Sequence, residues 1–254
     1  MAPTRPASQA HPRHNRLLAA LAPEDYEEVL PALEAVVLAP GMALYESGDA
    51  QPYLYFPVSG LVSLLYLLED GGSTELAVTG SEGVVGVSLF MGGGTTPSRA
   101  VVQIAGHAWR MRPGPMQRSF ARGGGLQQLL LRFTQALITQ MTQAAVCNRH
   151  HAVDQQVCRW LLFALDRMPS NGIAMTQERI ANLLGVRREG VTEAAGRLQA
   201  AGVIEYSRGR IRVLDRAQLE SIVCECYAVV KGEYDRLLPP LRPATGGLPP
   251  AGRS

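Results

Sequence analysis

The feature that most constrains the fold is a change of pattern near Pro115. Between Val36 and Met111, short apolar runs alternate with glycine-containing turns, and Glu69–Gly72 is a strong hairpin signal. Many short strands with such turns are typical of a sandwich or barrel. After Pro115 the apolar residues recur every three or four positions, which is typical of helices. The sequence therefore predicts an α+β chain whose antiparallel β part comes first.

Length and composition narrow the protein class. The chain has 254 residues, 46% hydrophobic and 18% charged, with a formal net charge of +2. This length predicts one or two globular domains. No apolar stretch approaches the roughly 18 residues needed to cross a bilayer, and the N-terminus lacks an apolar signal core, so we expect a cytoplasmic protein with no membrane contact. Four cysteines are too few for a disulfide scaffold and fit a reducing compartment.

Charges are sorted along the chain. All eleven acidic residues of the first half lie between Glu24 and Glu82, whereas Met91–His150 contains seven arginines and no acid. From His151 onwards, 14 basic and 11 acidic residues leave an excess of 14 − 11 = +3. A basic C-terminal half suggests a polyanionic partner.

A long helix is predicted over Leu126–Arg149. Its apolar residues are spaced alternately by three and four positions, as in a coiled-coil seam. We predict that this stripe pairs with a second copy of the chain to form a homodimer; the alternative is an ordinary core helix docked on the β domain. The predicted seam residues are Leu126, Leu130, Phe133, Leu137, Met141 and Ala144.

Residues 175–214 predict a winged helix-turn-helix. Thr176 is a good N-cap for a short helix, Gly185 takes the turn, and a second helix begins near Arg187 and ends at Gly202. The alternating segment that follows turns at Ser207–Gly209, as a small β-hairpin would. Helix, tight turn, helix and hairpin together are typical of this DNA-binding unit.

The side chains of this unit suit double-stranded DNA. Arginine can donate two hydrogen bonds to a guanine edge, and glutamate can accept one from a cytosine amino group. Arginines on the hairpin could reach phosphates. An exposed, charged helix pair with a purely structural role is the alternative. The predicted DNA contacts are Thr176, Gln177, Arg187, Arg188, Glu189, Thr192, Glu193, Ser207, Arg208 and Arg210.

The stretch VRREGVTEAAGRLQAAGVI is similar to the recognition helix of the Crp/Fnr family of bacterial transcription regulators, and residues 17–238 as a whole resemble that family. The resemblance implies base-reading positions at Arg188 and Glu189. Glu193 departs from the catabolite activator type, which carries a third arginine there. The resemblance also implies RNA polymerase as a partner if the protein activates transcription.

The resemblance implies a plan of domains along the chain, and the Pro-rich composition of both ends predicts disordered tails. The predicted organisation is a disordered tail over 1–16, a cyclic-nucleotide-binding-like β-roll (jelly-roll-like) sensor domain over 17–122, a dimerisation helix over 123–150, a winged helix-turn-helix domain over 151–238 and a second disordered tail over 239–254.

An effector pocket is also implied, but with altered chemistry. Relatives that bind cyclic AMP carry a ribose-binding glutamate and an Arg-Ser/Thr-Ala segment, whereas this chain has Val87 and the reversed order Ser98-Arg99-Ala100. We therefore expect no cyclic AMP and no other fixed cofactor, although an unidentified small molecule could bind. The expected pocket residues are Gly86, Val87, Ser98, Arg99 and Thr142.

Metal chemistry is not predicted. Cys147 with His150 and His151 has helical ligand spacing, but a structural cysteine beside surface histidines is the preferred interpretation. Cys224 and Cys226 should diverge if both lie on a helix, which opposes a shared ligand. No catalytic motif appears, so we expect no enzyme. The rival function is a ligand-binding signalling module whose C-terminal helices dock a protein partner.

Overall fold

The computed structural model describes residues 11–168 and 171–240. The β part contains seven antiparallel strands in two sheets. The strands are β1 (Leu33–Leu38), β2 (Ala43–Tyr45), β3 (Leu54–Pro57), β4 (Leu61–Leu67), β5 (Ser73–Thr79), β6 (Arg99–Ile104) and β7 (Gly106–Met111). One sheet has the order β1-β7-β3 and the other β2-β6-β4-β5. Two short helices, α1 (Arg16–Ala20) and α2 (Pro23–Val29), precede the strands.

The predicted hairpin is confirmed. Strands β4 and β5 pair from Leu67↔Ser73 to Val62↔Thr79. Gly71 adopts φ +85°, a left-handed conformation that an L side chain rarely takes, and the Leu68 N–H donates to the Gly72 carbonyl over 2.8 Å. The left-handed backbone of this turn therefore explains why residue 71 is a glycine.

The second half is helical apart from one small sheet. It contains α3 (Pro113–Arg122), α4 (Gly125–His150), α5 (Val153–Asp166), β8 (Gly172–Ala174), α6 (Gln177–Leu184), α7 (Arg188–Ala200), β9 (Ile204–Ser207), β10 (Arg210–Val213), α8 (Arg216–Ile222) and α9 (Glu225–Leu237). Strand β10 pairs with both β8 and β9. The predicted α+β architecture is confirmed.

Helix α4 joins the two halves by packing on both. It contacts β5 of the sensor domain and α9, the last helix of the described residues. Phe133 is fully buried, and a Cβ built at Gly83 would lie 1.9 Å from its ring. Only glycine lets the loop after β5 approach α4 this closely.

The expected N-terminal tail is too long by at least six residues. Pro12–His14 forms a short 3₁₀ turn, and the buried amide of Asn15 donates to the carbonyls of Pro57 and Gly83. Arg16 donates to the carbonyls of Leu238 and Pro239, so residues of both expected tails take part in the packed structure. Residues 1–10 and 241–254 of those tails lie outside the described residues.

The expected divergence of Cys224 and Cys226 is wrong. Cys224 does not lie on a helix: it is the N-cap residue of α9 with extended backbone (φ −73°, ψ 162°), while Cys226 belongs to the first turn. The helical 200° separation therefore does not apply, and both thiols are buried on the same side.

Candidate nucleic-acid interface

Helices α6 and α7 form the predicted helix-turn-helix. The Thr176 hydroxyl accepts from the Arg179 N–H over 3.2 Å and caps α6. Gly185 ends that helix at φ +66°, a conformation that favours glycine. The inward faces of the two helices share one core, made of Ile180, Ala181, Leu183, Leu184, Val191, Ala194, Ala195 and Leu198.

The outward face of α7 carries the predicted base-reading residues. Arg187 is the N-cap residue, and Arg188 and Glu189 begin the helix. All five candidate residues of this face are exposed: Arg187, Arg188, Glu189, Thr192 and Glu193. Arginine and glutamate at the free end of such a helix are the groups that can read major-groove edges.

Strands β9 and β10 form the predicted wing. They pair from Ile204↔Val213 to Ser207↔Arg210 and turn at Arg208 and Gly209. Arg208 adopts φ +49°, which is uncommon for a residue with a side chain. Ser207, Arg208 and Arg210 are exposed, so the tip of the hairpin is both polar and cationic.

The start of α6 connects the wing to α7, the helix that carries the predicted base-reading residues. The Gly209 carbonyl accepts from the Met175 N–H over 2.8 Å, and the Tyr206 hydroxyl accepts from the Gln177 N–H over 3.0 Å. On the other side, the Thr192 hydroxyl donates to Gln177 Oε1 over 2.8 Å. Met175 and Gln177 thus join the two outer elements in one continuous surface.

This surface has uncompensated positive charge. Arg197 pairs with Asp154 at 2.6 Å, and Arg212 pairs with Glu205 at 2.5 Å. Among residues 11–168 and 171–240, no carboxylate lies within 4.0 Å of the cationic groups of four others: Arg187, Arg188, Arg208 and Arg210. A polyanion could bind them without breaking an existing ion pair.

Two domain profiles match the sequence. The profile of the cyclic nucleotide-binding domain matches residues 35–122, and that of the Crp-like helix-turn-helix domain matches residues 155–222. The chain belongs to the Crp/Fnr family of transcription regulators. It is a DNA-binding regulator and not an enzyme.

Solved structures show the same fold. A Crp/Fnr-family transcriptional regulator from Eubacterium rectale is 18% identical, with a TM-score of 0.65 over 82% of this chain and 98% of that one. FixK2 from Bradyrhizobium japonicum is 17% identical, with a TM-score of 0.63 over 76% and 98%. A CRP-family regulator from Thermus thermophilus is 22% identical, with a TM-score of 0.61 over 74% and 95%. No curated protein sequence matches this chain significantly.

In this Crp/Fnr regulator, the expected effector residues lie on a short 3₁₀ turn, at the start of β6 and on α4, and the polar side chains among them have partners in their own chain. Gly86 takes φ +114° at the start of a short 3₁₀ turn that contains Val87. Arg99 Nη2 pairs with Glu46 at 2.9 Å, and the buried hydroxyl of Ser98 lies 3.1 Å from that of Thr96. Thr142 is exposed on α4 and donates to the Ile138 carbonyl of its own helix. Arg99, the cationic residue of the expected pocket, is therefore already paired with a carboxylate.

The predicted dimer seam is wrong. Five of its six residues (Leu126, Leu130, Phe133, Leu137 and Ala144) are buried within their own chain, and Met141 is half-buried. Their stripe faces the core that α4 shares with the sensor domain and α9. The core-helix alternative describes this face of α4 correctly.

A second apolar stripe on α4 remains exposed. Leu131 and Ile138 are each 50% exposed and Val146 is 40% exposed. The spacing of apolar residues alone does not show which stripe the protein's own core covers.

Contacts between the sensor and DNA-binding domains were not predicted. Arg179 on α6 donates to Gln103 Oε1 over 2.9 Å and to the Val102 carbonyl over 3.2 Å. At the same interface, burial raises the pKa of Glu75 to about 7. The hydrogen bond from Ser63 and the charge of Arg159 lower that pKa, but burial has the larger effect. The sequence signals this contact only through Arg179 itself, which occupies the third position of α6, where a capping box would carry an acidic residue.

No helix in the described part of the chain combines the length and mean hydropathy needed to cross a bilayer.

Proposed function

We propose that the protein regulates transcription by binding an inverted-repeat DNA site as a homodimer. The observation that carries this proposal is the surface formed by α7, the start of α6 and the wing, where four arginines lack an acidic partner among the described residues. In a two-fold dimer the two recognition helices would enter successive major grooves, with half-site centres roughly 34–36 Å apart.

The surface divides into two kinds of contact. Arg188 and Glu189, helped by Arg187, Thr192 and Glu193, are proposed to read base edges from the start of α7. The proposed backbone contacts are Thr176, Gln177, Ser207, Arg208 and Arg210, because phosphate accepts hydrogen bonds from arginine, from hydroxyl and amide side chains and from a helix N-terminus.

The exposed stripe of α4 is the proposed dimer seam. Its members follow one another by four and three residues, which is the spacing of a two-helix coiled coil: Leu131, Gln135, Ile138, Thr142 and Ala145, with Val146 beside them. All six are exposed in the single chain, so a partner helix could bury them. This stripe replaces the seam expected from the sequence.

The sensor domain is proposed to respond to something other than cyclic AMP. Val87 offers no carboxylate to ribose hydroxyls, and Arg99 is paired with Glu46. If the regulator activates transcription, RNA polymerase is the expected partner, and the cytoplasm is the compartment where both the genome and the polymerase are accessible.

Selection of bound sites from random duplex DNA tests the proposal. The expected product is an inverted repeat, with an affinity that falls steeply as salt rises because phosphate contacts release counterions. Recovery of no motif, together with salt-independent or absent DNA binding, would refute the proposal and favour a protein-docking role for residues 175–214.

A further inference from the structure

Four metal-binding side chains converge where α4, α5 and α9 meet. Cys147 lies in the last turn of α4, His151 follows that helix, Cys224 precedes α9 and Cys226 lies in its first turn. Their ligand atoms all lie within 4.8 Å of one another. The three cysteines are buried and His151 is half-buried, so water has little access to the sulfurs.

The spacing fits a tetrahedral metal better than a disulfide. Cys147 Sγ and Cys224 Sγ are 3.6 Å apart, and Cys226 Sγ lies 3.5 Å from His151 Nδ1. Zn–S bonds of about 2.3 Å and Zn–N bonds of about 2.0 Å place tetrahedral ligand atoms roughly 3.5–3.8 Å apart. A disulfide needs about 2.05 Å, and all four cysteines of the chain are free thiols.

The other nitrogen of His151 has the partner that a metal-bound imidazole usually has. His151 Nε2 lies 3.3 Å from the Glu225 carboxylate, so Nδ1 faces the sulfurs while Nε2 is oriented by an acid. A carboxylate in this position fixes the tautomer and the ring direction of a metal ligand. The Gln156 amide donates to the His151 carbonyl over 2.9 Å, which holds the turn that presents the ring.

A buried cation balances the charge of such a site. Three thiolates, a neutral imidazole and a divalent ion sum to −1. The buried guanidinium of Arg159, on α5, acts electrostatically on Cys147 and Cys226. Its Nε has no hydrogen-bond partner within the described residues. The positive charge therefore lies where a net negative metal centre would need it.

We propose that Cys147, His151, Cys224 and Cys226 bind one zinc ion in a closed, four-coordinate structural site. A Cys₃His set is typical of structural zinc, and four protein ligands leave no position for a substrate. On binding, three Zn–S bonds and one Zn–N bond form while the three thiol protons go to solvent, with no change of oxidation state.

The site would anchor the start of α9 to the junction between the two domains. Cys224 and Cys226 lie at the start of α9, and Cys147 and His151 lie at the end of α4, just before α5 begins. Zinc would therefore link α9 to the segment that connects the sensor to the winged helix-turn-helix.

The experiment measures zinc in the purified full-length protein and then replaces it with Co²⁺. We expect one zinc per chain and, with Co²⁺, an absorption spectrum typical of tetrahedral coordination with sulfur-to-cobalt charge transfer. Cys147→Ser and Cys226→Ser should lose the metal. Glu225→Gln should bind it about 10–100-fold more weakly.

Two matched control variants remove a thiol and an imidazole that lie outside the cluster. Cys158 is also buried but is not part of the cluster, and His150 is the exposed neighbour of His151. Cys158→Ser and His150→Gln should each keep one zinc per chain. If ligand variants fail to fold, the wild-type stoichiometry and Co²⁺ spectrum decide.

Three outcomes would overturn the site. The first is a wild-type protein that neither contains zinc nor gives a tetrahedral Co²⁺ spectrum. The second is that both control variants lose the metal as completely as the ligand variants do. The third combines three results. Without reductant, the mass of the chain is two hydrogens below that of its sequence, and thiol mapping finds a Cys147–Cys224 disulfide. After reduction, the protein binds no metal.

Discussion

Arg167 Nε donates to Glu82 Oε1 over 2.6 Å, and this ion pair joins the end of α5 to the loop after β5. The two side chains are only 6% and 10% exposed. Glu82 also accepts from the Gly80 N–H, and Arg167 also donates to the Phe163 carbonyl, so both partners are held on their own side of the interface. The pair thus connects the sensor to the DNA-binding domain in an environment that screens charge weakly.

Removing one partner of this pair should be strongly destabilising. Arg167→Met leaves the Glu82 carboxylate buried and unpaired, which typically costs about 3–5 kcal/mol. The double variant Glu82→Met/Arg167→Met should lose less than the two single variants added together. Denaturant unfolding measures both. Glu233→Gln, which removes one partner of the surface pair with Arg236, is the control and should cost far less than Arg167→Met. A similar small cost for Arg167→Met would contradict the argument.

Ile138→Arg should yield monomers. Ile138 is half exposed in the single chain and central in the proposed seam, so an arginine there would place two like charges against each other in the dimer. Sedimentation or light scattering measures the mass. Val37→Arg is the matched control, because Val37 is a similarly exposed apolar residue on β1, away from α4. A folded, dimeric Ile138→Arg protein would place the seam elsewhere.

Arg188→Ala should weaken binding to the selected site by about 1–3 kcal/mol and relax base preference at one position in each half-site. The reason is that a bidentate arginine contact exists only with the correct base. Repeating the site selection with the variant measures the change, while affinity for unrelated DNA should change little. An unchanged motif would mean that α7 does not read the bases.

Arg208→Ala should weaken binding to all sequences to a similar extent. At the tip of the wing its proposed contact is a phosphate, so the slope of log affinity against log salt should fall by about one unit. Arg236→Ala removes the same charge from α9, where Arg236 pairs with Glu233, and should leave the slope unchanged. Equal effects of both variants would show that only net charge is being measured.

Cyclic AMP should bind weakly or not at all. Without an acceptor at Val87, ligand hydroxyls that become buried would stay unsatisfied, at about 1–3 kcal/mol each. Freeing Arg99 for a phosphate would also break its pair with Glu46. Calorimetry tests this directly, and a dissociation constant near or below about 1 μM, roughly −8 kcal/mol, would contradict it.

The sorting of charges along the chain has a tertiary explanation in the sensor domain. Arg99 pairs with Glu46, Arg110 and Arg112 both pair with Glu34, and Arg122 pairs with Glu28. The acidic first segment and the arginine-rich second segment therefore compensate each other across the fold. For these four arginines, the sequence pattern reflects internal pairing rather than a polyanionic partner.

Local patterns in the sequence determined the elements and the DNA-binding unit. Gly71, Gly185 and the Ser207–Gly209 turn act through their own backbone conformation, and the buried residues of α6 and α7 follow from helical spacing. These signals involve neighbours only a few positions apart, so they can be read without knowing the fold.

Only the tertiary structure decided which stripe of α4 is buried, whether Arg99 is available and where the thiols converge. Both stripes of α4 have coiled-coil spacing, and the choice between them depended on β5 and α9 packing against one side. Cys147 and Cys224 are 77 positions apart, and they meet because Cys224 precedes α9 rather than lying within it. Contacts between distant segments are set by how whole elements pack, and the spacing within any one element carries no record of that packing.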